Sequence, residues 1–463
     1  MRLTEAAIPT ISEVLRAVAD RGRALAWHSA TAGTGGDHLL ELAEQLLSER
    51  GEATSIALSL SILRGYDALD LPARRGWLSR LAVRFGPDLA ALKETAQIFL
   101  QRSDEDAATR LLKVAEPRRQ ELLRRFNHAP GGTHALVRMR EDIMGAVACD
   151  PALAAFEGDF VHLFTSWFNR GFLQLRRIDW TTPATILEKI IRYEAVHAID
   201  GWDELRRRID PPDRRLYAFL HPALGDEPLI FVEVALTTEM PSAIGPLLAA
   251  DRSPIDAAAA TTAVFYSISN AQRGLSGVAF GNLLIKQVVE ELRRELPRLT
   301  QFTTLSPVPG FAAWLRDECA NPASRVIAPQ ARRRLALLAH ANWPRRAAAR
   351  DILQRALLPL AAHYFLHARS SSGRVIDPVA RFHLGNGARL ERINPIGDLS
   401  AAGMRQSHGL MVNYLYDLNQ VAANHEAFVG YDEVVTSAEV RRHARSIVRQ
   451  FAREPSAKGS PKS

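Results

Sequence analysis

Residues 263–310 read AVFYSISNAQRGLSGVAFGNLLIKQVVEELRRELPRLTQFTTLSPVPG. The opening AVFYSIS, 263–269, is β-branched and aromatic, which predicts a strand. The Gly-rich segment QRGLSGVAFG, 272–281, comes next. Over 282–296, Leu284, Val288, Leu292 and Leu296 fall on one stripe, which predicts an amphipathic helix. Residues 302–305 predict a third short strand, ending at Ser306 and the prolines 307 and 309. Strand, glycine-rich turn, helix and strand together make an α/β unit. Such a turn lets a phosphate approach the backbone, and the helix start offers free N–H groups. The segment matches neither G-x-G-x-x-G nor G-x-x-x-x-G-K-[ST]. From the spacing alone, simple packing of strand against helix is the better reading.

Upstream, LIFVEVAL at 229–236 predicts another strand. Before it the pattern is helical. ISEVLRAVADRGRALA (11–26), DHLLELAEQLLS (37–48) and LAALKETAQIFLQ (89–101) carry apolar residues at helical spacing, and 104–114 and 117–126 are similar. Breaks fall at Gly33, Gly35, Gly36, Pro72, Pro87 and residues 130–132. A boundary is expected near Thr182, which could cap a helix over 184–198 with Pro183 at its first position. Downstream, 329–368 return to helix. Residues 382–393, FHLGNGARLERI, predict a hairpin turning at Asn386 and Gly387. The last residues, REPSAKGSPKS, are polar and expected to be disordered.

The 463 residues predict two domains, and 47% apolar with 24% charged residues is a globular composition. Two cysteines, Cys149 and Cys319, make no disulfide framework and point to a reducing compartment. The N-terminus does not look like a secretory signal, and the cytoplasm is the expected location. No run of about 18 apolar residues predicts a membrane span. The net charge is +7, and the isoelectric point is about 9.6. That balance suits an anionic partner. Each basic cluster, such as 206–208 or 332–334, reads better as a solvated helix face. No aromatic-rich strand resembles a nucleic-acid platform, so no nucleic acid is expected.

Two residues could carry chemistry. Ser306 ends a strand before two prolines that fix the backbone, but no G-x-S-x-G elbow surrounds it. His383 stands between Phe382 and Leu384, where a histidine is more often structural. Nothing in the spacing shows that the two meet. His363 and His367 are four apart on a helix, but residue 364 is Tyr, so H-E-x-x-H is absent. The pair reads as structural, and no metal is expected.

The motifs FYSIS, GLSGV and LSPVPGF in 263–315, with FHLGNGA and GLMVNY in 378–416, closely resemble the malonyl-CoA decarboxylase family. Weaker resemblance extends through YEAVHAIDGWDELRRR at 193–208, so the match spans most of 190–420. The resemblance implies an α+β chain. A helical domain over 1–182 would pack or oligomerise. A mixed catalytic domain over 183–453, similar to the N-acetyltransferase fold, would follow, and 454–463 would form the tail.

It places the catalytic serine on Ser306 and the catalytic histidine on His383. The CoA-binding loop falls on Ser276, Gly277, Val278, Ala279, Phe280, Gly281 and Asn282, and a functional tyrosine falls on Tyr416. Some relatives carry Glu where this chain has Ala279, so that carboxylate's role does not carry over. The expected partners are malonyl-CoA and acetyl-CoA, with a homo-oligomer, dimer or tetramer. The expected reaction is decarboxylation, with Ser306 orienting the malonyl carboxylate and His383 protonating the enolate carbon. No cofactor is implied, because the thioester is itself the electron sink. An N-acyltransferase and a silent CoA-binding module are the alternatives on the same scaffold. His383 is expected to titrate near 6.5 unless burial moves it.

Overall fold

The computed structural model describes residues 36–49, 51–278, 284–340 and 342–452. The helix expected at 11–26 and the tail at 454–463 lie outside them. Two compact units emerge. One takes the chain to Gln174 with two short returns, 220–227 and 272–280; the other takes the rest.

In the first unit several helices begin at an aspartate that caps them. Asp70 accepts from Ala73 N, Asp88 from Ala90 and Ala91 N, Asp104 from Ala107 N, and Asp150 from Ala152 and Leu153 N. Each cap satisfies donors that the first turn leaves unpaired. The core gathers Leu46, Ile62, Trp77, Phe85, Phe126, Leu136 and Phe160, all essentially inaccessible to solvent. The expected helices at 37–48, 89–101, 104–114 and 117–126 appear as Gly36–Ser48, Leu89–Arg102, Glu105–Ala115 and Arg118–His128.

Among the described residues the sheet has eight strands: β1 (Gln174–Ile178), β2 (Arg214–Leu220), β3 (Pro228–Thr237), β4 (Thr262–Asn270), β5 (Gln301–Thr304), β6 (Ser306–Pro307), β7 (Arg389–Asn394) and β8 (Met411–Leu415). Their order is β1-β2-β3-β4-β5-β8-β6, with β7 also on β8. β3 and β4 run antiparallel, with a bulge where Glu233 and Val234 oppose Ser267 and Phe265. β4 and β5 run parallel, joined by the helix Leu284–Glu295. Their pairing ends at Phe265 and Thr304, so the rest of β4 runs on without β5. Ala235, Ile244, Val264, Tyr266, Leu305 and Met411 pack into one apolar cluster in this unit. The chain is thus α+β, helical first and mixed afterwards. Among the described residues no helix is long and apolar enough to cross a membrane.

Three local expectations are corrected. Residues 382–388 do not form a hairpin with β7. His383 lies in the last turn of the helix Pro378–Gly385. Asp377 caps that helix from Ala380 N, and Pro378 opens it. The pair Asp-Pro was the stronger signal, and Asn386 with Gly387 ends the helix instead of turning a hairpin. Thr182 caps nothing, because its hydroxyl accepts from Asp179 N, and the helix Ala184–Tyr193 has no side-chain cap. The basic run at 206–208 is not wholly solvated. Arg208 is buried, and its guanidinium bonds Glu233 at 2.8 Å and Glu204 at 2.7 Å.

Candidate active site

β6 is only two residues long, but it is paired. Ser306 sits opposite Val412 and Pro307 opposite Met411. This pairing and the following prolines hold Ser306 in one backbone state. Its Oγ donates to Thr304 Oγ1 at 2.9 Å, and Thr304 Oγ1 also accepts the N–H of Tyr414 at 3.1 Å.

His383 arrives from the capped helix. Its Nε2 lies 3.1 Å from Ser306 Oγ, and its Nδ1 lies 2.8 Å from the Tyr416 hydroxyl. Ser306, His383 and Tyr416, all expected site residues, therefore form one hydrogen-bonded chain. All three are buried. Tyr414 stacks on the imidazole at 4.6 Å and 24°, which fixes its plane. His363 and His367, by contrast, pack ring against ring at 5.0 Å on the helix Ala347–His367.

Burial pulls His383 from 6.5 down to about 3, so the imidazole is neutral near pH 7. Burial thus moves the group away from 6.5, the alternative the sequence left open. A neutral imidazole has one donor and one acceptor nitrogen. Because Ser306 donates to Thr304, the consistent arrangement runs from the Tyr416 O–H to Nδ1 and from Nε2–H to Ser306 Oγ. Such a chain can give up a proton at one end and take one at the other. Burial likewise pushes the Tyr416 hydroxyl well above the ordinary phenol range.

Of the expected CoA loop, Ala279, Phe280, Gly281 and Asn282 lie outside the described residues. Ser276 and Gly277 are exposed and Val278 is buried. Gly277 has φ +78°, a left-handed conformation that favours glycine. The loop is anchored through Gly274. Arg140 Nη1 donates to its carbonyl at 2.7 Å, and its N–H donates to Glu141 at 3.0 Å. A side chain at Gly274 would collide with the Val137 carbonyl. Arg140, Glu141, Gly274 and the described loop residues Ser276, Gly277 and Val278 belong to the first unit, while Ser306, His383 and Tyr416 belong to the second.

Sequence reasoning missed Thr304 and Tyr414. A usable signal existed for Tyr414. In N-Y-x-Y the two tyrosines are two apart, which places both on one face of a strand.

A mixed sheet holding a buried serine–histidine–tyrosine chain defines an α+β protein equipped for proton transfer at a water-poor centre. The comparisons narrow this. The profile of the malonyl-CoA decarboxylase C-terminal domain matches residues 171–454, and that of the N-terminal domain matches 85–168. The mitochondrial malonyl-CoA decarboxylase of Anser anser anser is 36% identical over 426 residues, covering 85% of this chain and 83% of its own. The crystal structure of malonyl-CoA decarboxylase from Rhodopseudomonas palustris is 58% identical with a TM-score of 0.85, covering 88% of this chain and 99% of that one. The corresponding structure from Agrobacterium vitis is 54% identical with a TM-score of 0.83, at the same coverage. The chain belongs to the malonyl-CoA decarboxylase family.

Proposed function

We propose that this chain converts malonyl-CoA to acetyl-CoA and carbon dioxide, with Ser306 orienting the malonyl carboxylate and His383 protonating the α-carbon. Family membership supports the substrate. The observation that carries the residue roles is the neutral, buried imidazole bridging two hydroxyls.

In the first step the bond between the α-carbon and the carboxylate breaks. Its electrons pass to the thioester oxygen, and carbon dioxide leaves. A neutral hydroxyl such as Ser306 suits the carboxylate, because a strong ion pair would be lost as neutral carbon dioxide forms. Burial favours moving the charge from the compact carboxylate to the more delocalised enolate. In the second step the enolate returns its electrons through the α-carbon, which takes the proton from His383 Nε2. The thioester enolate carbon is a stronger base than the imidazolate that a neutral N–H would leave, and a proton from Tyr416 to Nδ1 spares the ring that charge. As that proton leaves, the Tyr416 hydroxyl passes its own to Nδ1, and water then reprotonates the tyrosine. The net reaction consumes one proton. Ser276, Gly277 and Val278 are proposed to receive the phosphate end of CoA, supported by the exposed left-handed backbone at Gly277.

The test is turnover of carboxyl-labelled malonyl-CoA in deuterated water. Label should leave as carbon dioxide, and the acetyl product should carry one deuterium. Absence of labelled carbon dioxide would overturn the reaction. Wild-type rates in both Ser306→Ala and His383→Asn would overturn the residue roles.

A further inference from the structure

We infer that the Tyr364 hydroxyl and the Asp377 carboxylate form a strut that sets the distance between Ser306 and His383. This rests on the roles proposed above for those two residues. The serine arm runs from Ser306 through two prolines to Gly310, where the helix Phe311–Ala320 starts. A side-chain carbon on Gly310 would lie 2.6 Å from the Tyr364 hydroxyl, so that hydroxyl sits hard against the serine arm. The same hydroxyl donates to Asp377 Oδ2 at 3.2 Å. The other carboxylate oxygen accepts from Ala380 N at 2.8 Å and caps the helix that carries His383. One phenol thus touches both arms.

The phenol cannot drift. Tyr364 is buried, and its ring meets Phe311 at 5.6 Å and Trp314 at 5.2 Å, both on the helix that the serine arm enters. The histidine helix needs such a fixture. It has eight residues, and a helix that short does not hold itself. Capping alone does not explain Asp377, because a neutral Asn caps equally well. Asp377 is fully buried, and burial pushes it up to about 6. The groups facing it are Tyr364 and Tyr414 from other elements and Arg381 from its own helix. What the carboxylate adds over Asn is a charge-assisted bond to Tyr364. Tyr364 and Asp377 are therefore positioning residues that touch no substrate.

The experiment measures kcat, KM and thermal unfolding in the full chain for Tyr364→Phe, Gly310→Ala, their double variant, Asp377→Ala and Asp377→Asn. Misplacing the two arms should lower kcat by about tenfold or more while KM changes little. Asp377→Asn should recover only part of the kcat lost in Asp377→Ala, because it keeps an acceptor for the cap but loses the charge-assisted bond to Tyr364. Full recovery would reduce Asp377 to a cap and overturn the strut. Gly310→Ala alone should be impaired by collision with the hydroxyl. The double variant should be no worse than Tyr364→Phe, because removing the hydroxyl makes room for the methyl. Should Asp377→Ala fail to fold, Tyr364→Phe still decides, since it keeps the ring and its packing. Wild-type kcat in folded Tyr364→Phe, with Ser306→Ala and His383→Asn impaired, overturns the strut alone. Wild-type kcat in those two overturns the roles it rests on.

Discussion

The helix Pro378–Gly385 and the helical pair Leu89–Arg102 and Glu105–Ala115 obey the same local rules to opposite ends. Each begins at an aspartate cap: Asp377, Asp88 and Asp104. The pair buries a single residue, Ala107, and leaves Leu89, Leu100 and Leu112 exposed. The short helix buries Ala380, His383 and Leu384. Its far end is also pinned, because His425 Nδ1 meets the Gly385 carbonyl at 2.7 Å and Asn424 donates to the Gly387 carbonyl at 3.2 Å. Local signals make a helix; tertiary contacts make it precise. The candidate chemistry sits on the helix that the rest of its unit over-determines.

The sharpest way to break that contrast is His383→Asn. The variant keeps hydrogen-bonding capacity but cannot relay a proton. Decarboxylation should fall by about 10²–10⁴-fold, with CoA affinity unchanged by calorimetric titration. A smaller loss is expected from Ser306→Ala, on the order of 2–4 kcal/mol in the barrier, by analogy with single oriented transition-state donors. Carbon dioxide release at saturating substrate measures both. Equal rates in wild type and Ser306→Ala would leave the histidine helix precise for some other reason.

How far the sequence speaks follows the same division. Long amphipathic helices and the apolar strands β3, β4 and β5 were legible, because periodicity and β-branching report directly on burial. The site was legible only through motifs. Apolar context made His383 read as structural, and no spacing argument brings residues 306 and 383 together. Their contact needs β6 and β8 to pair and an eight-residue helix to form. The expected hairpin failed because Asn-Gly competes with Asp377-Pro378, which opens a helix five residues before His383. The link between Tyr364 and Asp377 gave no signal, since its meaning lies in one hydroxyl reaching two arms distant in sequence.

Asp377 also makes the short helix sensitive to pH, with a definite sign. Its folded value, about 6, lies above the ordinary 3.8 because of burial. Such a carboxyl favours the folded state fully below about 4, and that contribution is lost as pH rises through 6. The difference is on the order of 3 kcal/mol from the two-unit gap. Asp377→Asn should therefore gain stability relative to wild type between pH 4 and pH 7, read from denaturant unfolding at each pH. A constant difference would mean that the carboxyl does not titrate there. A smaller effect belongs to the loop. Gly277→Ala meets no atom within 4 Å, so only its left-handed backbone is strained. That should cost about 1–2 kcal/mol of stability, with CoA affinity falling by more than stability does. Unchanged affinity would remove the loop from the site.

The smallest expected effect tests the other half of the comparison. Leu46 and Leu100 are the same residue type in the same unit, one fully inaccessible and the other 77% exposed. Leu46→Ala removes packed methyl groups and leaves a cavity, which should cost about 2–5 kcal/mol. Leu100→Ala removes groups that touch little within the chain, so its stability should stay within about 0.5 kcal/mol of wild type. Its kcat should also be unchanged, because nothing in the serine–histidine–tyrosine chain depends on Leu100. Thermal unfolding and turnover at several protein concentrations give the answer. A concentration-dependent loss of stability in Leu100→Ala would mean that another copy covers this face in solution. The helical pair would then be fixed from outside the chain, as the histidine helix is fixed from within it.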